Sequence, residues 1–235
     1  MATLQPMPAI ALPANELLEI GRAWNPATFT LPKASGERLG RLCDRAVGRA
    51  LAQMLGGIPV VSPLKSTSLL PPQPDCVEIG PARIIGGIRP QNFDVAYRPD
   101  GVRFAYDSKT LNTRTSLSKN YQNMINDLGT EAATVHTRFP SAIVAFIVAV
   151  PESCLANHRK NLTSALARLC GRRITGGDVH KAEAIALVVW NPADGSVDAA
   201  WPATGSPLRL EDFSTQVEQC YTDRFAGLPP HNETD

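Results

Sequence analysis

The spacing of apolar residues changes several times along the chain, and each change marks an element. From Ser35 onward Leu39, Leu42, Cys43, Ala46, Val47, Ala50, Leu51, Met54 and Leu55 recur at steps of three and four, the signature of one buried helix face. Ser35 is placed to cap this helix and Gly56-Gly57 to stop it. A shorter helix is predicted over Asn15–Trp24, inside an otherwise irregular N-terminal arm spanning 1–34. Residues 58–92 are rich in proline and glycine and have no clear period; they read as a long connection with short strands. Phe93–Arg98 and Val102–Lys109 then alternate with the period of two that strands require. Arg98-Pro99-Asp100-Gly101 between them is turn chemistry, so a hairpin is predicted.

Beyond a polar loop, Ser118 is placed to cap a helix reaching His136, with Tyr121, Met124, Ile125, Leu128, Ala132 and Val135 as its stripe. Ala142–Val150 is wholly apolar and rich in β-branched residues, as expected of a strand buried on both faces. Leu155–Cys170 reads as an amphipathic helix, Ala184–Trp190 as a second buried strand with Val197–Trp201 as a possible partner, and Leu210–Phe225 as a last helix. The order predicts an α/β sandwich in which a central mixed β-sheet is flanked by helices on both faces. One domain would span 35–226, followed by a polar, flexible tail over 227–235.

Composition narrows the function classes. With 23 basic and 22 acidic residues the net charge is +1, so no overall basicity points to nucleic acid, although a local groove remains compatible with it. The longest wholly apolar run, Ala142–Val150, is about half of the roughly 20 residues a membrane helix needs. The first residues lack a basic n-region and are broken by Pro6, Pro8 and Pro13, so no signal peptide is read and a cytoplasmic location is expected. Five scattered cysteines without a CxxC pair fit free thiols rather than a zinc site or disulfide framework. No GxSxG, Walker A or GxGxxG segment occurs, and the four histidines lie far apart.

The candidate chemistry lies in the predicted hairpin. Asp107 and Lys109 share a strand face, and Asp94 lies on the preceding strand, where pairing can bring it beside Asp107. Carboxylates so placed can hold a hard divalent cation with positions open for water and a phosphate oxygen, and the Ser108 carbonyl could add a ligand. A lysine beside them can orient or deprotonate water, which an arginine cannot. An exposed strand face carrying a surface ion pair would show the same DxK pattern.

Asp94 followed by Asp107-Ser108-Lys109 on a hairpin resembles the PD-(D/E)XK nuclease superfamily, with Phe93 directly before Asp94 and Pro90 four residues before it. The segments Ser118–Asn123 and Glu131–Pro140, leading into AIVAFIVAV, look like those that follow the motif in type II restriction endonucleases. The resemblance implies a restriction-endonuclease-like core and a Mg²⁺-dependent cut in double-stranded DNA at a specific sequence, with Mn²⁺ able to substitute. It also implies a homodimer and a companion DNA methyltransferase. The preceding helix often adds an acid to the metal site in this superfamily, which makes Glu37 the candidate and Glu78 a second one. A structure- or end-directed repair or phage nuclease, or a non-catalytic DNA-binding protein, would share the layout.

Lys119 and Asn120 at a helix start, together with Arg114 and Arg138, are the candidate DNA contacts. Each has a bland alternative: a solvated helix end, or for Arg138 a structural tie to a loop. Arg38, Arg41, Arg45 and Arg49 form a helical stripe that fits a solvated face, a DNA-backbone contact or a subunit contact, and Arg168–Arg173 adds a small basic cluster.

Overall fold

The computed structural model describes residues 3–115, 117–155 and 158–231, and all of their side chains except that of Ser118. Helices α1 (Ala14–Gly21) and α2 (Lys33–Met54) precede strands β1 (Val60–Val61), β2 (Val77–Ile85), β3 (Pro90–Tyr97) and β4 (Phe104–Thr110). Then come α3 (Leu117–His136), β5 (Ile143–Pro151), α4 (Glu152–Leu155), α5 (Arg159–Leu169), β6 (Ala184–Trp190) and α6 (Leu210–Phe225). The six strands form one mixed sheet in sequence order. The β2–β3 and β3–β4 pairs are antiparallel; β1–β2, β4–β5 and β5–β6 are parallel. The chain is therefore an α/β protein with helices on both faces of a central mixed sheet.

Strict alternation along β5 and β6 builds two cores. Ile143, Ala145, Ile147 and Ala149 join Ala184, Ala186 and Val188 under α1, α2 and α6. Val144, Phe146, Val148 and Val150 join Ile185, Leu187 and Val189 under α3 and α5. All of these residues are buried, at about 1.5–3 kcal/mol for each Val, Ile, Leu or Phe, so the centre of the sheet is fixed firmly.

Several elements differ from the sequence reading. Helix α2 begins at Lys33 with Pro32 before it, and no side chain caps it; Ser35 is buried inside the first turn. Pro32 occupies the N-cap in extended backbone, with φ −57 and ψ 148, and the helix starts directly after it. The expected cap at Ser118 lies outside the described side chains, and α3 begins one residue earlier. Of the helix expected over Leu155–Cys170, α5 covers Arg159–Leu169 and Leu155 is the last residue of α4; residues 156–157 lie outside the described set. Val197 makes only an isolated bridge to Trp190.

The connection 58–92 holds the largest surprise, the nine-residue strand β2. Gly80, at φ +125, and Pro81 lie where its register with β3 slips, so its alternation is broken and no period shows in the sequence. Residues 3–34 are woven into the main core through Met7, Ile10, Leu12, Leu17, Ile20 and Leu31. In the tail, Arg103 donates to the Pro229 carbonyl, and the Tyr221 hydroxyl and His231 Nε2 lie 2.6 Å apart; residues 232–235 lie outside the described set.

Candidate active site

The site arises from a break in the sheet. In a regular strand residues 93 and 95 would share a face. Here Phe93 enters the core under α3 while Val95 enters the core under α2, so β3 rotates at Asp94. Opposite it, pairing jumps from Ile79↔Val95 to Ala82↔Phe93, a bulge that increases local twist. The far end of the β2–β3 hairpin then folds onto the last turns of α3, where the Gly87 amide donates to the Thr134 carbonyl at 2.8 Å.

Because β3 turns away, its ladder with β4 stops at Val95↔Tyr106. Asp107 through Thr110 stay paired to β5 alone, opposite Phe146 to Ala149. A cleft of about 470 Å³ opens at this split. It is lined by Asp94, Asp107, Ser108 and Lys109 from the strands and by Lys33, Glu37, Arg41 and Asp44 from α2, among others.

Asp94 takes over part of the missing ladder. Its Oδ2 accepts from the Ser108 amide and from the Ser108 hydroxyl, each at 3.1 Å. Asp107 and Lys109 point toward α3, as alternation requires. The Lys109 ammonium donates to Asp107 Oδ2 and, at 2.8 Å, to Glu131 Oε1. Glu131 is 6% exposed in its side chain, so the pair Lys109–Glu131 is not a surface ion pair. Burial opposes the charge on Lys109, but Asp107 and Glu131 outweigh it and raise its pKa. Asp107 is pushed well above the usual carboxylate range, first by burial and then by a hydrogen bond shared with Asp94, against the pull of Lys109.

Sequence reading passed over two acids here. Asp44 is buried, and its pKa is pushed up to about 8, first by burial and then by the Asp94 charge. Its Oδ1 has no hydrogen-bond partner, and neither has Glu131 Oε2. Both acids interrupt apolar stripes. Asp44 falls in step with Gly36, Gly40 and Gly48 on the α2 face that meets the sheet. A Cβ on Gly40 would stand 2.9 Å from Ser108 Oγ, so this face needs glycine to lie so close to β4. An acid on such a face was the available signal.

The other candidates are distributed as follows. Glu37 lies at the cleft margin, half-exposed, with Lys33 at 3.8 Å and Arg41 at 4.0 Å. Glu78 lies outside the cleft, fully buried in a two-point ion pair with Arg98 at 2.6 and 2.8 Å. Lys119 and Asn120 are exposed in the first turn of α3, which follows β4 and so starts at the same end of the sheet as the site. Arg114 lies over the Phe29 ring at 4.6 Å, in a separate depression with Glu152, Ser153 and Arg159. Arg138 ties the end of α3 to the hairpin by donating to the Ile85 carbonyl at 3.1 Å. Arg172, part of the basic cluster in the sequence, is fully buried and ion-paired to Glu183, so it is no surface contact.

Among the described residues, no three His, Cys, Asp or Glu side chains stand close enough together, as they are oriented, to share one ion. The donors are nevertheless hard carboxylate oxygens, and two buried oxygens in the group lack partners. That is the chemistry a divalent cation matches. Comparison with protein-family models, curated proteins and solved structures gives no match. Among the described residues, no helix is long and apolar enough to cross a membrane.

Proposed function

We propose that the chain is a metal-dependent endonuclease with a restriction-endonuclease-like core of the PD-(D/E)XK kind, cutting phosphodiester bonds of double-stranded DNA at a specific sequence. The observation that carries the reading is the split of β3 from β4, which puts Asp94 and Asp107 on one cleft with Lys109 beside them. Nothing in strand packing calls for two adjacent carboxylates, one of them driven far from its ordinary pKa, in a gap between strands.

Asp94 and Asp107 would hold the cation, with the Ser108 carbonyl as a further oxygen and Asp44 and Glu37 of α2 bordering the site. Mg²⁺ or Mn²⁺ would supply positive charge against the phosphate oxygens and acidify a water. The chain's own groups do the rest. Lys109, held by Asp107 and Glu131, would orient the attacking water with its ammonium. The Ser108 amide and hydroxyl hold the Asp94 carboxylate in place.

The direct test is plasmid cutting with and without Mg²⁺. Discrete fragments that vanish on chelation support the proposal. Smearing or trimming from ends points to a structure- or end-directed nuclease, and DNA binding without cutting in any divalent metal overturns the catalytic reading.

The raised acids give a test that needs no DNA. A carboxyl whose folded pKa exceeds its unfolded one favours the fold at low pH, and that contribution is lost as pH rises through the folded value. For Asp44 that value is about 8. The metal-free protein should therefore lose thermal stability progressively as pH rises from the ordinary carboxylate range to about 8 and level off above it, and Mg²⁺ should restore it. Asp44→Asn should flatten the pH dependence. Melting curves that respond to neither pH nor Mg²⁺ would remove the cation site from the proposal.

A further inference from the structure

The arginines Arg38, Arg41, Arg45 and Arg49 follow one another at steps of three and four along α2. With a rise of 1.5 Å per residue the stripe runs on the order of 16 Å, a length that spans several phosphates of one strand. Arg38 and Arg49 are exposed, and among the described residues neither has an ion-pair partner. A solvated helix face ordinarily carries its own acids at the next turn; here Arg41 alone has that kind of partner, Glu37 at 4.0 Å.

A groove of about 350 Å³ runs between α1 and α2, lined by Arg38, Arg41 and Arg45 together with Asn15, Glu16, Glu19 and Ile20. Arg41 lines this groove and the catalytic cleft alike, so the two adjoin at this side chain. The acids of the groove are already engaged: Glu16 with Arg45 at 3.1 Å, Glu19 with Arg22 at 2.9 Å. The charge left uncompensated is cationic and leads toward Asp94, Asp107 and Lys109.

We infer that the arginine face of α2 is the track on which the phosphates of one strand of duplex DNA enter the cleft. The inference rests on the nuclease reading and adds to it the surface that fixes the path of the substrate. Phosphate contact of this kind is blind to sequence and releases counterions, so it is read in the salt dependence of binding.

The experiment is a fluorescence-anisotropy titration of labelled duplex DNA in metal-free buffer, where no cutting intervenes, at several salt concentrations. The parent protein is compared with Arg38→Ala/Arg49→Ala and with a control pair on the opposite layer, Lys160→Ala/Arg168→Ala. All four side chains are exposed, so the melting temperature should not move. Each lost phosphate contact lowers the slope of log K against log salt by about 0.9, so the α2 double variant should be shallower by about 1.8 and bind about tenfold or more weakly. The control pair should match the parent. Equal losses in both pairs would mean a general charge effect and would overturn the inference, as would an unchanged slope in the α2 variant. A parent that binds no duplex at all would sink the nuclease reading with it, so the two failures are told apart.

Discussion

Lys109→Ala is expected to slow metal-dependent DNA cleavage by about 10²–10⁴-fold, the range for loss of a positioned acid–base group, while DNA still binds. The ammonium is held at two points, by Asp107 and by Glu131, and its side chain is only 21% exposed. Removing it leaves two acids in a mostly dry place without their counter-charge, so part of any loss could come from the fold. Two companions separate these effects. Lys109→Arg keeps the charge but puts a planar, forked guanidinium where a compact ammonium stood; it should fold and still cut far more slowly than the parent. Glu131→Gln keeps the shape and removes one anchor of the ammonium; it should cut more slowly than the parent and faster than Lys109→Ala. Single-turnover cleavage of one labelled duplex, with melting curves alongside, reads all three. Parental cutting rates in Lys109→Ala would end the assignment of this residue.

The path from sequence to site was open in some places and closed in others for identifiable reasons. Strands β5 and β6 show plainly because a strand buried on both faces is a continuous apolar run, and their ends are those expected within a residue. The hairpin of β3 and β4 shows because alternation survives around Asp100-Gly101. The split between these strands does not show. It depends on β2, whose bulge at Gly80-Pro81 erases the period that would have revealed the strand, and on the packing of residues 86 and 87 against Thr134. The pattern thus places Asp107 and Lys109 on one face but leaves out the mechanism that exposes them. For the acids on the helices the difficulty is different. Glu37 attracts attention by its position early in α2, whereas Asp44 sits on the face that α2 turns to the sheet, and only a helical projection of the glycines shows it. The arginines are the hardest group. Arg38 and Arg172 both read as surface cations, yet one is exposed and the other fully buried, because a partner far along the chain decides the outcome.

That partner, Glu183, sets the second large expectation: Glu183→Ala should destabilise the fold by about 3–5 kcal/mol, the range for a broken buried ion pair. Glu183 is fully buried just before β6. Its Oε1 accepts from Arg172 at 2.9 Å and Arg224 at 2.8 Å, and its Oε2 lies 3.2 Å from His136 Nε2 and accepts from the Val144 amide at 2.8 Å. Arg172 in turn donates to the carbonyls of Pro140, Thr175 and Gly177, so the carboxylate also fixes the loop before β6. Removing it strands a fully buried guanidinium and the start of β5 together. At about 2–4 °C per kcal/mol for a chain of this size, the melting temperature should fall by about 6–20 °C. Burial pushes the Glu183 carboxyl up, but the His136 hydrogen bond and charge, then Arg224 and the Val144 amide, outweigh it and hold the group below its ordinary value. A depressed carboxyl stabilises above its unfolded pKa, and that contribution disappears as pH falls through the folded one. The parent should therefore lose stability in acid below the ordinary carboxylate range, and Glu183→Gln should lose less over the same interval because it has no proton to gain. Thermal melts across that interval decide the matter: parallel curves for parent and Glu183→Gln would show that this carboxylate does not carry the linkage, and a melting temperature unchanged in Glu183→Ala would show that the buried network contributes nothing.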